Sequence, residues 1–282
     1  MLENPRSPRV RAVAKLTKRS ARQETGLFLL EGPQAAREVL SYRPETVLTD
    51  NYWDGYLSLP FAVLGRPPRS IAMLGNGAGT MVRAYGRYFP RTAIDGVEID
   101  PELTALGRRW FGLRERPGVR FVHEDARPFL RRADRRYEAI FIDAYRQPYI
   151  PFYLTTREFF ELVRDRLGPG GVVLINVGHP EGSRDLEKVL AAGLRSAFPR
   201  VAAHDFTEVS TLLVAGDRPP EAGRVRAAAA SLPAELGPLF TRTADGLRGA
   251  LVGDEPYTDD RAPVEWLVDR SIVSYASGES GG

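Results

Sequence analysis

Residues 70–100 read SIAMLGNGAGTMVRAYGRYFPRTAIDGVEID, and this stretch decides the fold. The run IAML at 71–74 is continuously apolar, as a strand buried on both faces should be. Gly75, Gly77 and Gly79 follow at GxGxG spacing, and a helix is expected over 80–89. A second strand is expected over 93–98. Strand, glycine turn, helix and strand make a βαβ unit whose turn brings backbone N–H groups close to a ligand. Glu98 stands nineteen residues beyond Gly79, at the end of the second strand, where a carboxylate can accept both hydroxyls of a ribose.

Outward from this unit the pattern alternates. Strands are expected at 70–74, 93–98, 119–123, 138–143 and 171–177, with helices at 101–111, 126–131 and 156–167 between them. A helix at 184–198, strands at 201–206 and 210–215, and a helix at 224–232 follow. Strands alternating with helices predict a Rossmann-like α/β fold, a mostly parallel seven-stranded sheet with helices on both faces. Upstream, a short helix is expected near Trp53, and helices at 6–23 and 33–40. The predicted organisation is a basic helical arm at 1–47, a nucleotide-binding catalytic domain at 48–276, and a disordered Gly/Ser-rich tail at 277–282.

The ligand can be narrowed further. A dinucleotide site places a pyrophosphate on the helix N-terminus and spells GxGxxG; this turn does not. The third strand ends VHEDARPFL, where Asp125 can accept from an adenine amino group and the Ala126 N–H can bond a ring nitrogen. The pattern favours a nucleoside without pyrophosphate. His123, His179 and His204 show no metal-ligand spacing, so no metal is expected.

Composition sets the outer bounds. Of 282 residues, 43% are hydrophobic, enough for a full core. The absence of cysteine excludes disulfides, thiolate zinc sites and a cysteine nucleophile. No apolar run reaches the roughly 20 residues of a membrane span. The basic start MLENPRSPRVRAVAKL lacks the apolar middle of a secretion signal, so a cytoplasmic protein is expected. Seven basic side chains and two acids lie in residues 1–24, within a chain of net charge +3; the positive charge belongs to the arm.

From about Tyr52 to Glu265 the chain resembles the spermidine synthase family, in its divergent bacterial branch, within the adenosylmethionine-dependent methyltransferase fold. The matching pieces are MLGNGAGT, DGVEIDPEL, VHEDARPFL, YEAIFIDAYRQPYIPFYLTTREFFELVRDRLGPGGVVLINV and YTDDRAPVEWL. The resemblance implies polyamine biosynthesis: transfer of an aminopropyl group from decarboxylated S-adenosylmethionine to an amine, without a metal. It implies that Asp143, in AIFIDAY, removes the ammonium proton. It implies substrate contacts from Tyr52 and the nearby Asp54. Tyr145 and Arg146, in the loop after Asp143, are further candidates, and so is Asp259 in the YTDD turn, where two adjacent acids close the site rim, bind a cationic substrate or form a surface turn. Tyr149 and Tyr153 share that Pro-rich loop, which reads as a substrate lid or as core packing.

The chain departs from the family in three places. Where the family carries a second Asp, which holds the distal ammonium of a diamine, this chain has Arg146. Nothing before Tyr52 matches the family's N-terminal β-hairpin domain, and the His and Gln near the substrate Tyr are missing from TDNYWDGYLSLPF. A guanidinium repels a diamine and attracts a carboxylate or phosphate. A second reading is therefore a methyltransferase that uses S-adenosylmethionine itself on a small molecule. A third is a non-catalytic or RNA-associated module that retains the fold. A homodimer is among the expected assemblies.

Residues 9–40, RVRAVAKLTKRSARQETGLFLLEGPQAAREVL, resemble the opening of SpoU-type ribosomal RNA ribose 2′-O-methyltransferases. That likeness implies weak RNA contact through the arm, by arginines and lysines that bind phosphate without sequence preference. The alternative is a solvated basic helix.

Overall fold

A computed structural model describes residues 47–277, apart from Gln147 and Asp254. The expected helices at 6–23 and 33–40, and with them the RNA reading of the arm, lie outside the described residues. So does the tail beyond Ser277.

Two short helices open the described chain, α1 (Tyr52–Ser58) and α2 (Phe61–Leu64). The alternation then runs β1 (Ser70–Leu74), α3 (Thr80–Tyr88), β2 (Ala93–Val97), α4 (Pro101–Trp110), β3 (Val119–Val122), α5 (Ala126–Arg132) and β4 (Tyr137–Ile142). After a 3₁₀ turn at Phe152–Leu154 come α6 (Arg157–Arg166), β5 (Leu167–Gly178), α7 (Asp185–Ala197), β6 (Arg200–Thr207) and β7 (Ser210–Gly216). The chain continues through α8 (Ala222–Ala229), α9 (Gly237–Gly246), β8 (Arg248–Gly249) and α10 (Val264–Ser277).

The strands form one sheet in the order β3-β2-β1-β4-β5-β7-β6-β8. The first five are parallel, and β7, β6 and β8 pair antiparallel. The sheet therefore has eight strands where seven are expected. The extra one is a two-residue edge pairing of Arg248 and Gly249 with Ala203 and Ala202, too short to leave a periodic signal. Helices α9 and α10 are also unanticipated. A Gly-Pro start hides the first, and α10, which ends at Ser277, follows a turn rich in Pro and Asp. Strand β5 begins at Leu167, ahead of the expected 171: Leu167 pairs with Tyr137, and the register then shifts across the Gly-Pro-Gly-Gly stretch, where Gly170 has a φ of 70°.

Side chains of a strand alternate between faces, and each face here has its own core. Ala72, Leu74, Ile140 and Ile142 pack with Phe129, Phe159, Phe160, Leu190 and Leu267. Ile71, Met73 and Phe141 pack with Tyr56, Phe61, Tyr85 and Phe240. No described helix is long and apolar enough to cross a membrane.

The order reverses at β1, which has β2 on one side and β4 on the other. In an open α/β sheet the crevice beyond the strand C-termini at such a reversal is where ligands bind. Gly75 and Asp143 are the first residues past the C-terminal ends of β1 and β4.

Glu187 on α7 is fully buried and ties the antiparallel edge to the rest. It accepts from both Arg248 guanidinium nitrogens, at 2.7 and 3.0 Å, and from Arg184 at 3.1 Å. Both arginines also pair with Asp205 on β6, whose carboxyl they hold well below the ordinary range against the opposing effect of burial. Glu187→Ala should destabilise the fold by about 2 kcal/mol, below the full cost of an orphaned buried ion because the arginines keep partial access to water. Urea unfolding of the two chains measures the difference.

Candidate active site

Two tight turns meet at the crevice. Gly75, Gly77 and Gly79 all have positive φ, at 87°, 52° and 89°, a region costly to any residue with a Cβ. At Gly75 the demand is also spatial: a Cβ there would lie 2.3 Å from the carbonyl oxygen of Asp143. At Gly77 a Cβ would meet nothing within 4 Å, so that side of the turn is open.

Glu98 lies at this turn, but not as an exposed acid. It is buried, accepts from the Gly77 N–H at 2.8 Å and from the Asp100 N–H at 3.1 Å, and so braces the glycine loop. Burial pushes its carboxyl above the usual range, against the lowering effect of these N–H donors. Asp125 is the N-cap of α5, accepting from the Arg127 N–H at 2.9 Å and from the Tyr153 hydroxyl at 2.5 Å. The Ala126 N–H, at the first position of α5, has no acceptor among the described residues.

Asp143 follows β4, its N–H donating to Leu74 O at 2.8 Å. Its carboxylate is held from two sides. The Tyr52 hydroxyl donates to Oδ2 at 3.0 Å, and the Asn176 side-chain amide donates to Oδ1 at 2.9 Å. Asn176 is itself buried near the end of β5, and its Oδ1 accepts from the Ser210 hydroxyl at 2.7 Å. The acceptor-only carboxylate requires the NH2 end of the amide to face Asp143, which leaves Oδ1 for the Ser210 hydroxyl. Asn176 and Ser210 are the site residues that sequence reasoning missed. The available signal was a single polar residue inside the apolar run VVLINV.

The loop after Asp143 is tied down along its length. Tyr145 donates to Asn176 O at 2.9 Å and accepts from the Gly178 N–H at 2.9 Å, and burial raises its phenol well above the ordinary range. Tyr149 donates to Asp269 on α10 at 2.7 Å. Arg146 and Tyr149 close a small turn by exchanging backbone hydrogen bonds at 2.8 and 3.0 Å, and the Arg146 side chain is exposed.

Two expected substrate residues are used elsewhere. Asp54 is buried and turned back on its own loop, accepting from Thr49 N, Thr49 Oγ1 and Asp50 N. It shares α1 with Tyr52 but closes the helix entry, and it does not join the Asp143 cluster. Asp259 accepts both guanidinium nitrogens of the buried Arg127, at 2.8 and 2.6 Å, and the Thr156 hydroxyl at 2.7 Å. Arg127 holds its carboxyl below the ordinary range. Asp259 thus clamps the 257–260 turn onto the starts of α5 and α6. Among the described residues no cluster of His, Asp and Glu forms a metal set. His179 lies between Pro180 O and Thr211 Oγ1, and His204 stacks on Phe206.

The raised carboxyl of Glu98 has a consequence for stability. A group whose folded pKa exceeds its unfolded value contributes stability that is fully present below the unfolded pKa and lost as pH rises through the folded pKa. The advantage of the parent chain over Glu98→Gln, which does not titrate, should therefore shrink between pH 4 and pH 7. Urea unfolding across that range checks this; a constant difference would show that the carboxyl is not shifted.

Comparison with known proteins follows the same lines as the geometry. The family model described as "Spermine/spermidine synthase domain" matches residues 60–215. A probable polyamine aminopropyl transferase of Bifidobacterium longum is 34% identical over 152 residues, 54% of this chain and 33% of that protein. The polyamine aminopropyltransferase of Vibrio vulnificus is 33% identical over 112 residues, 39% of this chain and 38% of that protein. This chain thus matches between about a third and two-fifths of the length of these relatives. A bovine eEF1A lysine and N-terminal methyltransferase is 27% identical over 145 residues, 47% of this chain and 20% of that protein. Among solved structures, a probable spermidine synthase from Corynebacterium glutamicum superposes with TM-score 0.54 at 24% identity, covering 72% of this chain and 79% of that one. Human methyltransferase-like protein 13, in complex with SAH, gives 0.52 at 23%, covering 70% and 91%. The two likenesses show a common fold. With more than half of its length matched by the family model, the chain belongs to the spermine/spermidine synthase domain family.

Proposed function

We propose that this chain is a cytoplasmic transferase that moves an aminopropyl group from decarboxylated S-adenosylmethionine to an amine acceptor, with Asp143 as the proton acceptor. The observation that carries the reading is the Asp143 carboxylate, set beside the glycine turn at the reversal of strand order and held by Tyr52 and Asn176. Both donors are neutral. They orient the carboxylate, as a general base requires.

The surrounding residues fit an adenosyl group. The open side of Gly77, the Ala126 N–H without an acceptor among the described residues, and a Glu98 carboxylate with lone pairs beyond those that face Gly77 and Asp100 suit a nucleoside. Gly75, Gly77, Gly79, Glu98, Asp125 and Ala126 would hold it. When bound, it supplies a methylene made electrophilic by the neighbouring sulfonium. The chain's task is then to align an amine and keep it unprotonated. Asp143 takes the proton that the attacking nitrogen must shed, and Tyr52 and Asn176 keep its oxygens in place while it does so.

Methyl transfer from S-adenosylmethionine is the second reading. It is favoured by the methyltransferase among the sequence relatives and by the cation at Arg146. The products separate the two: methylthioadenosine for aminopropyl transfer, S-adenosylhomocysteine for methyl transfer.

The test is chromatography of the adenosyl product after incubation of the full chain with each cofactor and a panel of amines. Asp143→Asn should keep cofactor binding and lose about 10²–10⁴-fold in turnover. Full activity in this variant would remove Asp143 from the chemistry.

Asn176→Ala should lower kcat about tenfold, with little change in the acceptor KM, because Asn176 acts through Asp143. Ser210→Ala should have a smaller effect alone and none in the Asn176→Ala background, since its hydroxyl works through the amide. Additive losses would show that Ser210 acts by another route.

A further inference from the structure

We propose that a cavity between α3 and the loop joining α4 to β3, lined by Arg83, Arg114 and Arg116, binds a phosphate dianion, free or as the end group of a small monoester. None of its lining residues belongs to the glycine turn or to the Asp143 cluster. The proposal therefore stands apart from the reading of the crevice.

The cavity has a volume of about 220 Å³. Val82, Arg83 and Gly86 of α3 form one wall, and Leu113, Arg114 and Arg116 form the other. No acid is among its described lining residues. Gly112 and Arg114, both exposed, open it to solvent.

Arg116 sets the chemistry. Its Nη1 donates to Pro90 O at 2.7 Å and to Thr92 O at 3.2 Å, which fixes one end of the guanidinium. Along the other edge, Nε and Nη2 are buried and have no hydrogen-bond partner. Two N–H groups on one guanidinium edge are spaced for two oxygens of a single oxyanion. Buried donors in folded proteins are otherwise paired, and burial already pulls this guanidinium below its ordinary range. Gly86 lies beside the same edge: a Cβ there would be 3.5 Å from Nε. Glycine inside a helix costs stability relative to alanine; here it leaves the space next to Nε open.

The charges around the cavity do not cancel. Glu115 keeps its charge but faces Arg108 at 2.7 Å, and Glu235 faces Arg87 at 3.7 Å. With those pairs counted as neutral, Arg114 and Arg116 remain without a carboxylate partner among the described residues, and Arg83 shares their cavity. Several guanidiniums around one space suit a dianion with oxygens on more than one side better than a single carboxylate.

Calorimetry of the full chain with inorganic phosphate, at constant ionic strength, tests the proposal. The expected dissociation constant is on the order of 1 mM, with acetate about tenfold weaker. Arg116→Gln should weaken phosphate binding about tenfold. Nη1 also holds Pro90 and Thr92, so a second variant guards against loss of the fold. Gly86→Ala adds a methyl inside a helix, which should not lower the thermal midpoint, yet it should weaken phosphate binding about fivefold by crowding Nε. Ribose 5-phosphate separates the two sources: tighter binding than inorganic phosphate supports a monoester, and weaker binding supports the free ion. Binding of neither probe, acetate binding as tightly as phosphate, or a phosphate affinity unmoved by either folded variant overturns the proposal.

Discussion

The contact between Gly75 and the backbone of Asp143 is the constraint on which the site depends. Strands β1 and β4 lie side by side, and their turns leave the sheet at the same end. The two turns can share that end only if one has no side chain, because a Cβ at position 75 would fall inside the Asp143 carbonyl. The positive φ of Gly75 sends the chain away at once towards Gly77 and α3. The glycine turn and the proposed base are thus neighbours by backbone geometry, before any side chain is considered.

The rest of the site is bracing for these two turns. Glu98 pins the glycine loop from the β2 side, at the cost of a buried carboxylate. Tyr52, carried on a helix buried along its whole length, and Asn176, carried on β5, hold Asp143 from opposite sides. The elements that supply these donors are separated widely in sequence and meet only through the sheet. Near the end of β5, Asn176 is held by the strand pairing and by Ser210 on the adjacent β7, whose hydroxyl donates to the amide oxygen.

What was legible in the sequence was what has a local signature. Gly75, Gly77, Gly79, Glu98 and Asp143 sit at turns and strand ends where period and composition change together, and the fold followed from the alternation of apolar runs with amphipathic stretches. What escaped was tertiary. Asp54 and Asp259 look like site acids because the sequence shows their charge; it does not show the Thr49 or Arg127 that occupies it. Asn176 looks like a strand residue until β4 is laid against β5. The edge strand β8 consists of two residues whose partners lie more than forty positions away, beyond the reach of any local pattern.

The clamp between Arg127 and Asp259 has a consequence for the order in which the site comes into being. The buried guanidinium at the start of α5 finds its carboxylate 132 residues later in the chain, and Tyr149 finds its partner on the last described helix. During synthesis the sheet can pair up to β5 while both of these polar groups still lack their mates. The crevice therefore closes from the C-terminal side, and a nascent chain that has not yet delivered residues 257–269 has the glycine turn without a secured wall around it.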